Sequence, residues 1–178
     1  AIPAALTFFI VITSHSAFLA RLGPQTGGFL PGPGGNLLNC WPTTGKIWQL
    51  PGGSFSHRNL YAYDIGGGLG NPVYATHDGT ATAYHEAATS CYGNHVIVVT
   101  PDSSSIYAHL SQIKFTGTIS ITGGTLIGAQ GATWAPQCDF DGIHLHYELH
   151  GNASFPPEPN AEGVIITDEM VTGCFASQ

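Results

Sequence analysis

The strictest alternation of apolar and polar positions lies at residues 143–150. There Ile143, Leu145, Tyr147 and Leu149 interleave with His144, His146, Glu148 and His150. A strand of period two puts the apolar set on one face and the histidines with the glutamate on the other. A helix would bring His146 and His150 together, but Glu148 would then fall on the wrong side for an H-E-x-x-H metal motif. The strand reading accounts for every residue. Further β-branched runs predict strands near 60–65, 72–76, 79–85, 94–100, 105–110, 118–121 and 125–129, beside 143–149. Turns fall at GGGLGN, HDG, TPDSS and TGG between them.

Ahead of this region, residues 21–36 (RLGPQTGGFLPGPGGN) consist mostly of turn formers and read as a linker. The apolar stretch at residues 1–20 is broken by the polar residues 13–16, which leaves it too short and too polar for a good membrane span. It reads equally as a signal or anchor remnant and as a packing strand. The expected organisation is an arm with its linker at 1–36, a core at 37–151, and a tail at 152–178 tied to that core.

Composition sharpens this picture. Charged residues make up 8% of the 178 positions, against about 25% in ordinary domains. The 24 glycines and 12 prolines, with so few helix-favouring Lys, Glu and Arg, make the expected class all-β and mainly antiparallel. The net charge is −7 and Arg21, Lys46, Arg58 and Lys114 are the fixed cations, which argues against nucleic-acid partners and strong capture by anionic surfaces. Four cysteines without C-x-x-C spacing (Cys40, Cys91, Cys138, Cys174) suit two disulfides in an oxidising, extracellular or periplasmic compartment. Asn152-Ala153-Ser154 is a glycosylation triplet that matters only in a eukaryotic secretory context.

Four separated segments carry a resemblance. HRNLYAYDIGGGLGNPVYATHDGTATAY, from His57, looks like a first motif with a ligand His, a ligand Asp and a G-x-PV-x-A hairpin. CYGNHVIVVTPDSSSIYAHLSQI, from Cys91, is similar to a GNxVxI…YxHL segment. GGTLIGAQGATW and then HLHYEL resemble a closing IG…H-x-H-(F/Y)-E. In order from His57 to Leu149, the chain resembles the lysostaphin/LytM-type zinc endopeptidases that cut peptidoglycan cross-bridges. The resemblance implies a β-sandwich or barrel-like core and a secreted Zn2+ enzyme acting on peptidoglycan stem or cross-bridge peptides or on Gly-rich peptides. It implies His57, Asp64 and His146 as zinc ligands, with His109 and His144 as the catalytic pair. Three N/O ligands leave a fourth position for water, as catalytic zinc sites require.

Two departures stand out. Six residues separate His57 from Asp64 where three are commonest in the family, and no tyrosine lies between Asn39 and His57 where the family often has one. Tyr61 and Tyr63 fall on the core-facing register. His77 reads as a hairpin residue, His95 as a strand-edge residue near the cleft, His85 and His15 as solvent-facing or packed, and His150 as a surface strand end. Glu148 shares the ligand face and is a candidate to orient a ligand histidine. The resemblance places Cys91 and Cys138 at the cleft rim, while Cys40 and Cys174 bracket the core, and domain termini often lie close together. The expected pairing is Cys91–Cys138 with Cys40–Cys174, one of three possible.

A cupin reading needs a further downstream histidine, and none follows His150. The serious alternative is a non-catalytic structural or assembly subunit on the same fold, self-associating through residues 4–20.

Overall fold

The computed structural model describes residues 40–138, 140 and 142–176. The arm and linker expected at 1–36 lie outside them, as does His15. The strands are β1 (Gly45–Gln49), β2 (Ala62–Gly66), β3 (Pro72–Tyr74), β4 (Gly79–Tyr84), β5 (His95–Val99), β6 (Ser103–Ala108), β7 (Gln112–Ile113), β8 (Thr118–Ile121), β9 (Leu126–Ala129), β10 (Leu145–Gly151) and β11 (Ile165–Ile166). A π-helical turn, Glu169–Gly173, runs into a short helix at Cys174–Ala176. Among the described residues, no helix is long and apolar enough to cross a membrane.

The strands form an eight-stranded sheet in the order β11-β1-β2-β10-β6-β5-β4-β8 and a three-stranded sheet in the order β3-β9-β7. Every paired neighbour is antiparallel. The class is all-β, as composition and alternation predict. Both sheets are open, so the barrel-like part of the expectation does not hold.

Alternation decides what each face of the large sheet does. Tyr63 and Ile65 of β2, Val96 and Val98 of β5, Tyr107 of β6, and Leu145, Tyr147 and Leu149 of β10 turn to one side. They pack there with Val73 and Ile127 of the small sheet and with Trp41 and Phe155. Each large apolar side chain fully buried there contributes about 1.5–3 kcal/mol. Two core tyrosines bring hydroxyls inside, and Thr76 satisfies both: its Oγ1 lies 2.9 Å from Tyr107 Oη and 2.7 Å from Tyr147 Oη.

The opposite face of the central strands carries the polar set. The registers His146↔Asp64 and His146↔Ala108 place β10 between β2 and β6, so that His146, Asp64 and Ala108 lie side by side. Two residues further along β10, Glu148 lies opposite Ala62 on one side and Ile106 on the other.

Three strands escape the alternation signal. In β1 the buried residues are Ile47 and Gln49, while Trp48 is 40% exposed, which inverts the usual apolar and polar code at two of its five positions. β7 and β11 have two residues each, too few for a period to register. The connection from β3 to β4 also differs from the expected hairpin. β3 pairs with β9 in the small sheet, whereas β4 pairs with β5 and β8 in the large one. His77 lies on this crossing and is buried, its Nε2 2.8 Å from Ser105 Oγ and its Nδ1 2.7 Å from the Asp78 carbonyl.

Both disulfides match the expected pairing, Cys40–Cys174 and Cys91–Cys138, each with Cα atoms 5.6 Å apart. Beside the first bridge, Trp41 donates its indole N–H to the Glu158 carbonyl at 2.9 Å.

Candidate metal centre

Asp64 enters the site from β2 and His146 from the neighbouring β10, their cross-strand pairing setting them face to face. His57 arrives from the loop before β2, in a tight turn closed by the Leu60 N–H donating to the His57 carbonyl at 3.0 Å. That fold-back brings together two residues seven apart in sequence that no single strand could place on one spot. Asp64 Oδ1 lies 3.0 Å from His146 Nδ1 and 3.2 Å from His57 Nε2, and the two ring nitrogens are 3.2 Å apart. All three residues are buried. The structure thus brings together the three residues to which the resemblance assigns metal binding, and one ligand atom from each lies within 4.8 Å of the others.

The remaining ring nitrogens are all engaged. His57 Nδ1 lies 3.2 Å from the Leu50 carbonyl, and His146 Nε2 lies 3.2 Å from Glu148 Oε2. These bonds fix which nitrogen of each ring faces the centre. Burial would push the His146 imidazole down, but hydrogen bonds to Asp64 and Glu148 override it and hold the group at about 9. Burial would likewise raise the Asp64 carboxyl, yet hydrogen bonds from His146 and His57 hold it well below the usual carboxylate range. A divalent cation at this point would meet two imidazole nitrogens and a carboxylate oxygen. That donor set suits zinc.

His144 and His109 flank the centre. His144 precedes β10 and is held by an isolated bridge to Gly131. A side chain at Gly131 would lie 2.7 Å from the His109 carbonyl oxygen, so the close approach there requires glycine. His109 follows β6 with φ of 63°, the left-handed region, a strain that commonly marks functional positions. Its ring centroid is 4.7 Å from that of His144. His144 Nε2 lies 3.8 Å from Asp64 Oδ1. Both rings bond a carbonyl through Nδ1, His144 to Gly142 at 3.2 Å and His109 to Thr133 at 3.1 Å, which leaves Nε2 of each as the open nitrogen. Burial pushes both imidazoles down, His109 to about 3 with help from the neighbouring His144 and His146. Burial thus favours the uncharged form of both rings.

A cleft opens over these groups in two adjoining lobes of about 300 and 270 Å³, which share Ser56, Asp64, Phe140 and His144. Trp48, Phe55, Tyr92 and Phe140 line it among polar side chains. Trp48 packs 5.5 Å from His144, while Phe140 and Trp134 flank His109 at 5.2 and 5.4 Å. Gly66 and Gly142 make room for the Trp48 indole, since a Cβ at either would strike it.

Sequence reasoning missed several participants. Trp48 sits on the unread β1. Tyr92 donates its hydroxyl to Glu148 Oε2 at 2.8 Å, a contact between positions 56 residues apart that leaves no periodic trace. Glu148 does meet His146, as its shared strand face suggested. His150, expected at the surface, is half-buried, with Nε2 2.9 Å from Glu148 Oε1 but not aligned for a hydrogen bond. His95 is wholly buried, its ring stacked 4.7 Å from Tyr84, whereas His85 is exposed.

Comparison with known proteins gives a family and a fold. The sequence model described as Peptidase family M23 matches residues 58–156. No curated protein matches the chain. A structure from Pseudomonas aeruginosa assigned to peptidase M23 is similar at 24% identity and a TM-score of 0.51, covering 70% of this chain and 50% of that one. A zinc-containing peptidase from Vibrio cholerae is similar at 21% identity and a TM-score of 0.54, over 68% of this chain and 41% of its own. A structure of the SpoIIQ–SpoIIIAH pore-forming complex matches at 17% identity and a TM-score of 0.50, over 76% and 92%. The chain thus spans half or less of the first two relatives.

Proposed function

The chain belongs to peptidase family M23, and on that premise we propose that it is a secreted zinc endopeptidase that hydrolyses peptidoglycan cross-bridges or Gly-rich peptides. The observation that carries this reading is the convergence of His57 Nε2, Asp64 Oδ1 and His146 Nδ1 beside two further buried histidines, His109 and His144, in one cleft. His57, Asp64 and His146 would hold the metal. When bound, zinc would lower the pKa of a water toward about 7 and polarise the scissile carbonyl.

The chain's own groups do the rest. His144 is the general base: its Nε2 faces the centre, and Nδ1–H on the Gly142 carbonyl holds the ring in the tautomer that accepts a proton. His109 is the partner of the carbonyl oxygen. With Nδ1 committed to the Thr133 carbonyl, its Nε2 is left open in the cleft, and His144 is the member of the pair that accepts the proton given up by the water. Trp48, Phe55, Tyr92 and Phe140 along the cleft offer flat, uncharged contacts that suit small, neutral residues at the scissile bond. Two disulfides support an oxidising compartment, extracellular or periplasmic.

The test is to load purified protein with zinc and incubate it with peptidoglycan and with a pentaglycine peptide, reading new amino termini and muropeptide products. Cleavage of either substrate by the wild type and not by His144→Ala supports the enzyme. Zinc uptake with no cleavage of any wall substrate supports the non-catalytic assembly subunit instead.

A further inference from the structure

Glu148 is neither one of the three proposed ligands nor one of the histidine pair, yet among the described residues it is the carboxylate most fully withdrawn from solvent, at 1% exposure. Burying a carboxylate is costly unless its oxygens are paired. Here Oε2 accepts from His146 Nε2 at 3.2 Å and from the Tyr92 hydroxyl at 2.8 Å, and Oε1 rests 2.9 Å from His150 Nε2. We propose that Glu148, held by Tyr92, is a positioning residue that locks His146 with Nδ1 toward the metal and supplies the negative charge that the ligand set lacks. The inference rests on the proposed zinc site.

The geometry carries both parts. His146 and Glu148 sit two apart on one face of β10, so the carboxylate reaches the far nitrogen of the ring without any distortion of the strand. A ring gripped at Nε2 has only Nδ1 left to present. Tyr92, from the loop before β5, fixes Glu148 in turn, its ring centroid 5.7 Å from that of His146. For charge, two neutral imidazoles and one carboxylate leave a divalent ion with one uncompensated positive charge in a buried setting. Glu148 cancels it through the imidazole. An outer carboxylate of this kind raises the basicity of the ligand histidine and typically accounts for about 10–100-fold in metal affinity.

The test compares zinc affinity by chelator competition in the wild type, Glu148→Gln and Tyr92→Phe. Melting of the metal-free proteins serves as the fold control, and the visible spectrum of the cobalt-loaded forms as a reporter of ligand geometry. His77→Gln, which replaces a buried imidazole that does not line the cleft, controls for general destabilisation. The expected result is a fall of about 10–100-fold for Glu148→Gln, a smaller fall for Tyr92→Phe, and an altered cobalt spectrum for Glu148→Gln, with His77→Gln unchanged in affinity. Equal affinities and spectra in wild type, Glu148→Gln and Tyr92→Phe overturn the inference and leave the zinc site standing. A fall in His77→Gln as large as that in Glu148→Gln also overturns it. A wild type that takes up no zinc overturns both the inference and the proposed site.

Discussion

Replacing His144 by Ala removes a neutral ring whose Nε2 faces the centre and leaves His57, Asp64 and His146 in place. Hydrolysis should fall about 10²–10⁴-fold while zinc content stays at one per chain, measured by metal analysis beside steady-state rates. His109→Ala should behave in the same way, and activity near wild type would remove His109 from the mechanism. His77 offers a different measurement, since it lies outside the cleft. Burial pushes its imidazole below the ordinary 6.5, although the nearby Asp78 carbonyl and carboxylate pull the other way. The fold therefore favours the neutral ring. The stability this confers is complete above pH 6.5 and is lost as pH falls from there toward the lower folded value. His77→Gln should be less stable than wild type at pH 8, with the gap narrowing below pH 6.5, as urea midpoints at a series of pH values would read.

At the scale of elements, legibility followed how strongly each segment wrote its period into the chain. β10 was readable because apolar and polar residues alternate without a break from Ile143 to His150, through the strand and the two residues before it, and the same alternation placed His144, His146 and Glu148 on one side. β1 was not, because a buried glutamine and an exposed tryptophan reverse its code for the sake of the cleft wall. The turn that carries His57 back to Asp64, and the crossing of β3 to β4 between sheets, depend on contacts distant in sequence, to which local patterns are blind. The bridge Cys91–Cys138 joins two such distant elements, the loop bearing Tyr92 and the loop leading toward Phe140 and His144. Its chain separation of 47 residues corresponds to about 4 kcal/mol in the chain-entropy model. The double variant Cys91→Ser/Cys138→Ser should lose up to that amount, and its turnover should drop further than stability alone explains, because His144 loses its anchored approach. Unchanged turnover in a folded double variant would limit the bridge to stability.

At the scale of the whole described fold, the other bridge closes the structure. The family match spans residues 58–156, and the segments on either side of it meet. β1 pairs with β2 on one side and with β11 on the other, the Trp41 N–H donates to the Met170 carbonyl at 3.1 Å, and Cys40 bonds Cys174 across a separation of 134 residues. Nearly the entire described fold lies within that loop. Its closure corresponds to about 5 kcal/mol in the chain-entropy model. For a chain of this size that is a melting shift of about 10–20 °C. Cys40 and Cys174 lie outside the strands, beside β3 of the small sheet, where the Tyr74 N–H donates to the Pro42 carbonyl and Phe175 packs on Tyr74, whereas the ligands and the histidine pair sit on the central strands and cleft loops of the large sheet. Cys40→Ser/Cys174→Ser should therefore melt at a lower temperature by that margin, yet keep wild-type zinc affinity and turnover at 20 °C. A shift of a degree or two would mean that the edge formed by β1 and β11 opens separately before the centre does, leaving the bridge to restrain the ends of the fold and not its unfolding.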